Sequence, residues 1–184
     1  DIIKTNNELL LRLINDILDL SKIESDTIKI NTDPVFIDQL MVEIYRITSM
    51  RMPDGVKLVV ETPRDDLWLN TDKSRLLQIM NNLLNNAIRS TTEGQISFGY
   101  ELESGYVKFY VKDTGVGIPE DKLESVFDRF VKLNTTQNGF GLGLTITKGL
   151  VKKMGGEVWA TSQVGEGSTF YFTLPLDVVP QVVF

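Results

Sequence analysis

Asn82-Leu83-Leu84-Asn85-Asn86-Ala87-Ile88-Arg89 sits in the middle of the most regular helical pattern of the chain. Asn81, Asn82, Asn85 and Asn86 crowd its interior, although a short amide side chain competes with the backbone for hydrogen bonds and lowers helix propensity. Something other than helix stability is therefore expected to keep them there. The pattern predicts a helix capped by Asp72 and running to about Ser90. At ~100° per residue, Leu76, Met80, Leu83, Leu84 and Ala87 form a buried stripe. Asn82, Asn86 and Arg89 line up on another face, nearly opposite it. Asn81 and Asn85 repeat the same spacing on the shoulder between, so spacing alone does not choose a pair; position relative to the stripe favours Asn82 and Asn86.

Composition narrows the chemistry around this helix. The 184 residues allow one ordinary domain plus an appendage, and 42% hydrophobic with 24% charged residues is a globular balance. A net charge of −6 and a pI near 4.8 argue against a broad nucleic-acid surface. The chain contains neither cysteine nor histidine. Disulfides, thiolate metal sites and Ser-His or Cys-His catalysis are thereby excluded, which leaves carboxylates, amides and backbone groups. No run approaches the ~20 apolar residues of a membrane span, and no signal-peptide pattern opens the chain, so it is expected to be soluble as given.

Working outward, residues 1 to about 24 read as an amphipathic helix with Ile3, Leu10, Ile14 and Ile17 on one stripe, widened by Leu13, Leu18 and Leu20. So wide a stripe calls for a cover, either a helical partner or the chain's own domain. Thr27 to Asn31 alternate like a short strand before Pro34, and a second helix is predicted from Ile37 to Met50. Val56–Glu61 and the short Trp68–Asn70 read as strands. A hairpin of Gly94–Leu102 and Tyr106–Lys112 follows, then a short helix over Lys122–Phe130. A helix ending at Met154 and strands over Glu157–Thr161 and Ser168–Leu174 complete the pattern. The apolar tail from Asp177 to Phe184 reads as a linker.

Three segments carry candidate chemistry. Gly139-x-Gly141-x-Gly143 precedes a helix, offering backbone N–H groups and the positive end of its dipole to phosphates; the alternative is a glycine hinge used for packing. Asp113, followed by Gly115 and Gly117, ends a strand. It is either a turn aspartate or a carboxylate that accepts a hydrogen bond from a ligand's amino group, with the glycines letting a flat ring lie against the backbone. Asn82 and Asn86 are either solvated amides or neutral oxygen donors of the kind Mg²⁺ accepts alongside phosphates. Arg89, one turn on, can meet phosphate charge. Together they form three half-sites for Mg²⁺, base and phosphates.

These residues resemble the catalytic ATP-binding domain of sensor histidine kinases, within the wider GHKL group of gyrase, heat-shock chaperone, mismatch-repair and histidine-kinase ATPases. Gln78 to Ile88 resembles the N box, Asp113-Thr114-Gly115-Val116-Gly117-Ile118-Pro119 the G1 box, Phe127-Asp128-Arg129-Phe130 the F box and Gly139 to Leu144 the G2 box. Phe140 stands where threonine is commoner. The resemblance implies an α+β fold, a two-layer α/β sandwich of Bergerat type with helices on one face of a mixed sheet, preceded by the amphipathic helix. It implies Asn86 as the Mg²⁺ ligand, Asn82 beside metal and phosphates, Asp113 on the adenine amino group, Thr169 as a second adenine neighbour and Lys132 as a phosphate contact. Gly115, Gly117, Gly139, Gly141, Leu142 and Gly143 line the nucleotide, and residues 131–138 form a lid. Leu13 to Glu24 is similar to the end of the second dimerisation helix of those kinases.

The expected organisation is therefore residues 1–25 as the tail of that helix, 26–176 as the catalytic domain and 177–184 as a linker. In hydrolysing members of the group the first asparagine position resembles a glutamate; Asn82 cannot act as a general base, which favours transfer to an acceptor over hydrolysis. The expected activity is γ-phosphoryl transfer from Mg²⁺·ATP to a histidine that this sequence lacks. The implied partners are a histidine-bearing dimerisation helix, a response-regulator receiver domain and a second copy of the full protein, with a cytoplasmic location. A nucleotide-binding interaction module, resembling anti-sigma-factor serine kinases or a pseudokinase, is the alternative.

Overall fold

The computed structural model describes residues 2–63, 66–131 and 141–177. Along them run α1 (Ile2–Glu24), β1 (Asp33–Phe36), α2 (Ile37–Ser49), β2 (Val56–Glu61), β3 (Trp68–Thr71), α3 (Lys73–Ser90), β4 (Gly94–Glu103), β5 (Tyr106–Asp113), α4 (Glu120–Leu123), α5 (Gly143–Lys153), β6 (Val158–Gln163) and β7 (Gly167–Pro175). The five-stranded sheet has the order β2-β4-β5-β7-β6. β2 runs parallel to β4 and the other pairs are antiparallel, so the sheet is mixed. β1 and β3 form a separate antiparallel ribbon.

Period-two alternation sets the layers. Ile96, Phe98, Tyr100, Val107, Phe109, Val111, Phe170, Phe172 and Leu174 point from the sheet into one core, where the Phe109 and Phe172 rings stack 4.8 Å apart. Helices cover that face through Ile37, Leu40, Met41 and Ile44 of α2, Leu76, Ile79, Met80, Leu83, Leu84 and Ala87 of α3, and Ile146, Leu150 and Val151 of α5. The predicted α3 stripe is buried as expected, and Ile79 joins it. On the opposite face of the sheet, Tyr110 lies across from Tyr171, which stacks on Trp159.

Asp72 caps α3. It has extended backbone angles, and its Oδ1 accepts from the Arg75 N–H at 3.0 Å, satisfying one of the orphan donors of the first turn. Its Oδ2 accepts from the Asn31 N–H at 2.9 Å. That bond explains why Thr27–Asn31 is not a strand: its end is tied to a helix cap instead of a neighbouring strand, and pairing begins at Asp33.

The predicted helix over Lys122–Phe130 is also corrected. α4 stops at Leu123, a 3-10 turn covers Ser125–Phe127, and Phe130 has φ +60. Val126 and Phe127, both buried, lie in that turn, and the Phe127 ring meets Phe170 of β7 edge-on at 6.1 Å. The Phe130 N–H then bonds to the carbonyl of Gly141 at 3.1 Å.

α1 docks through its second half. Leu13, Leu20 and Ile23 pack on the core, whereas Leu10, Leu11, Ile14, Ile17 and Leu18 are 45–61% exposed. Ile23 lies so close to Gly149 of α5 that a Cβ there would be 2.6 Å from Ile23 Cγ2. Asp19 accepts from Gln78 Nε2 at 2.7 Å and pairs with Arg75, while Glu24 pairs with Arg129 and Asp26 with Lys153.

Candidate functional site

Asn82 is the junction between α3 and α5. Its Nδ2 donates to the Gly143 carbonyl at 3.1 Å and lies 3.4 Å from Thr147 Oγ1. A Cβ on Gly143 would be 3.6 Å from Asn82 Cγ, an ordinary van der Waals contact, so the two helices meet closely at this point. Asn85 turns to the other flank, where its Oδ1 accepts from Arg51 Nη1 at 3.2 Å. Asn82 and Asn85 thus face different neighbours although they stand only three residues apart on the helix. Asn86 is half-buried on the Asn82 side, and Arg89 is exposed one turn on.

Leu142 precedes α5, 1% exposed, and makes no side-chain cap, so among the described residues the first N–H groups of the helix are not closed off by their own N-cap. Gly141 has φ +70, and its missing Cβ would lie 2.8 Å from the Val131 carbonyl. Lys132 and Gly139 lie outside the described residues, as does all of the expected lid except Val131.

Asp113 closes the other end. It is the last residue of β5 and 3% exposed, and its Oδ1 accepts from the Gly115 N–H at 2.9 Å. Burial raises its pKa above the usual carboxylate range; hydrogen bonds from the backbone of Gly115 and Ser168 and from the Ser90 hydroxyl oppose the rise. Two glycines allow the loop to fold this tightly. A Cβ on Gly115 would be 2.3 Å from the Ser90 carbonyl, and one on Gly117, at φ +72, would be 2.1 Å from the Gln163 carbonyl. The loop is further laced by Val116 N–H to Ser90 O at 3.3 Å, Gly165 N–H to Val116 O at 2.9 Å and Ile118 N–H to Ser162 Oγ at 2.8 Å.

Thr169 is not brought to this carboxylate. It pairs with Lys112, on the opposite face of the sheet, while Ser168 pairs with Asp113 and is 5% exposed. Ser168, and not Thr169, therefore shares the face of Asp113, because one step along a strand reverses the face. Ser90, Ser162 and Ser168 were not singled out by motif. Aligning the Asp113 strand against the Gly165-Glu166-Gly167 turn would have placed Ser168 opposite Asp113.

The two-layer sandwich sets the amides of α3, the uncapped start of α5 and the buried Asp113 on its helical side, the layout of an ATP-binding catalytic domain. Residues 71–178 match the family described as histidine kinase-, DNA gyrase B-, and HSP90-like ATPases, and the chain belongs to it. Within that family it is similar to sensor kinases. Sensor histidine kinase WalK of Bacillus subtilis is 34% identical over 179 residues, covering 94% of this chain and 29% of the relative. Autoinducer 2 sensor kinase/phosphatase LuxQ of Vibrio parahaemolyticus is 40% identical over 190 residues, covering 96% and 22%. The chain thus spans less than a third of the length of these relatives.

Among solved structures, full-length ShkA in complex with AMPPNP superposes with a TM-score of 0.83 at 30% identity, covering 92% of this chain and 36% of that one. The nucleotide-free catalytic domain of histidine kinase ThkA gives 0.71 at 28%, covering 79% and 96%. These similarities favour the kinase reading over an interaction module. Among the described residues no helix is long and apolar enough to cross a membrane.

Proposed function

We propose that this domain binds Mg²⁺·ATP and donates the γ-phosphoryl group to a histidine outside this sequence. The observation that carries the reading is Asn82. The residue that joins α3 to the start of α5 is an amide, which braces the two helices and cannot itself act as a base to deprotonate water. Transfer to a positioned imidazole needs only alignment and charge stabilisation: the phosphorus forms a bond to the imidazole nitrogen as its bond to the bridging oxygen of ADP breaks.

In the proposed site the roles divide as follows, with Lys132 and Gly139 placed by motif alone. Asp113 accepts from the adenine amino group, with Gly115 and Gly117 letting the ring approach and Ser168 beside it. Gly139, Gly141, Leu142, Gly143 and the α5 N–H groups take the phosphates, and Arg89 and Lys132 add positive charge. Asn86 ligates the metal, with Asn82 next to it. Among the described residues no group of three or more His, Cys, Asp or Glu can hold a metal ion. Amide oxygens plus phosphates suit Mg²⁺, which would neutralise charge on the transferred group. The cytoplasmic location, the dimerising acceptor helix and the response-regulator receiver domain belong to this reading of the whole protein.

Incubating the domain with γ-labelled ATP and a separate histidine-bearing dimerisation helix tests it. Label on the helix is expected. Nucleotide binding with no transfer would refute the kinase assignment, and steady phosphate release without the helix would point to hydrolysis.

A further inference from the structure

Ser162 of β6 makes three hydrogen bonds with a single hydroxyl. Its Oγ receives the Ile118 N–H at 2.8 Å, lies 2.7 Å from the Gly167 carbonyl and lies 2.9 Å from Ser168 Oγ. The proton count orders this junction. Ile118 can only donate and the Gly167 carbonyl can only accept, so the one hydrogen of Ser162 goes to Gly167. The hydrogen between the two hydroxyls then comes from Ser168. With its proton committed to Ser162, Ser168 presents lone pairs to whatever lies beside it. Ser168 is 5% exposed and directly opposite Asp113, so it stands next to a carboxylate, another acceptor.

We infer that Ser162 is a specificity-determining positioning residue: by fixing the proton of Ser168 it makes the base end of the site an acceptor-only surface that selects a purine bearing a 6-amino group over one bearing a 6-keto oxygen. Adenine offers N–H donors at that position, whereas a 6-keto purine offers an oxygen lone pair. Lone pair against lone pair leaves buried polar groups unpaired, which is the costly case. A Ser168 able to rotate its proton outward would donate to the keto oxygen and relax the choice. The inference rests on the placement of the base at Asp113.

Calorimetric titration of the 184-residue chain with Mg²⁺·ATP and Mg²⁺·ITP, which differ at the purine 6 position and its N1 proton, reads the effect as a ratio of affinities. Ser162→Ala is expected to lower the ATP-over-ITP ratio about tenfold, the scale of one hydrogen bond, and Ser162→Thr, which keeps the hydroxyl, is expected to restore it. In a Ser168→Ala background Ser162→Ala should add nothing to the ratio. Should Ser162→Ala not fold, Ser162→Cys, of similar size and weak in hydrogen bonding, takes its place. An unchanged ratio in Ser162→Ala or Ser162→Cys, alongside a lowered ratio in Asp113→Asn, overturns the role of Ser162 alone. An unchanged ratio in Asp113→Asn overturns the placement of the base itself.

Discussion

The side-chain amide of Asn82 donates to the backbone carbonyl of Gly143 at 3.1 Å, so the asparagine helix α3 and the first residue of α5 are joined at one point. Asn86, one turn further on, is not part of that brace. Asn82 thus holds two helices together, and the proposed ligand contact falls to Asn86.

Asn86→Ala is expected to weaken Mg²⁺·ATP binding by about tenfold or more, and Asn81→Ala by much less. Calorimetric titration decides; equal losses would mean that the wrong face of α3 has been assigned.

Asp113 supplies a pH test. Burial holds its pKa above the usual carboxylate range. A donor N–H on the ligand favours the ionised form, so binding releases a proton, and ATP affinity should rise with pH through the raised pKa and then level off. In the ligand-free domain the sign is reversed. The folded state binds more protons than the unfolded one between about 3.9, the ordinary Asp value, and the raised pKa, so the contribution of Asp113 to stability falls as pH rises through that window. Asp113→Asn should flatten this component of the affinity profile. It should also melt no lower than wild type at pH 7, with any advantage lost in acid. Identical affinity profiles for both proteins would dismiss the role.

Removing the α3 cap tests the fold apart from the site. Asp72→Ala loses the bond from Arg75 and the bond from Asn31 together. The cost is expected at about 1–2 kcal/mol, read as a lower urea midpoint with an unchanged slope.

Leu83→Ala, in the centre of the same helix and 0% exposed, should cost about 2–5 kcal/mol through the cavity it leaves. A much smaller shift in the urea midpoint would show that α3 is not packed as described.

The asparagine helix could be read from sequence because its periodic apolar residues and its cap are both local signals: Asp72, Leu76, Met80, Leu83, Leu84 and Ala87 all stand where they were expected. Asp113 and its glycines were legible for the same reason. What could not be read was set by pairing across the chain. Thr169 and Ser168 differ only in which face of β7 they occupy, and that depends on register with β5, which no motif specifies. The segment after Leu123 reads as helical by composition, yet it tightens into a 3-10 turn whose Phe127 packs against Phe170 of β7, a contact across the chain that no local signal carries. Thr27–Asn31 alternated correctly for a strand but had no strand to pair with.

Asp19 and Glu24 of α1 and Asp26 in the turn just after it find their partners Arg75, Arg129 and Lys153 on the domain that α1 docks on. Charge is therefore sorted by side, like the two plates of a capacitor, while Ile23 against Gly149 fixes where the plates meet. Such a seam attracts before it touches, out to about 8 Å at physiological ionic strength, and added salt discharges it without altering a single packed atom. The hold of the domain on its leading helix is in this sense adjustable from the solvent.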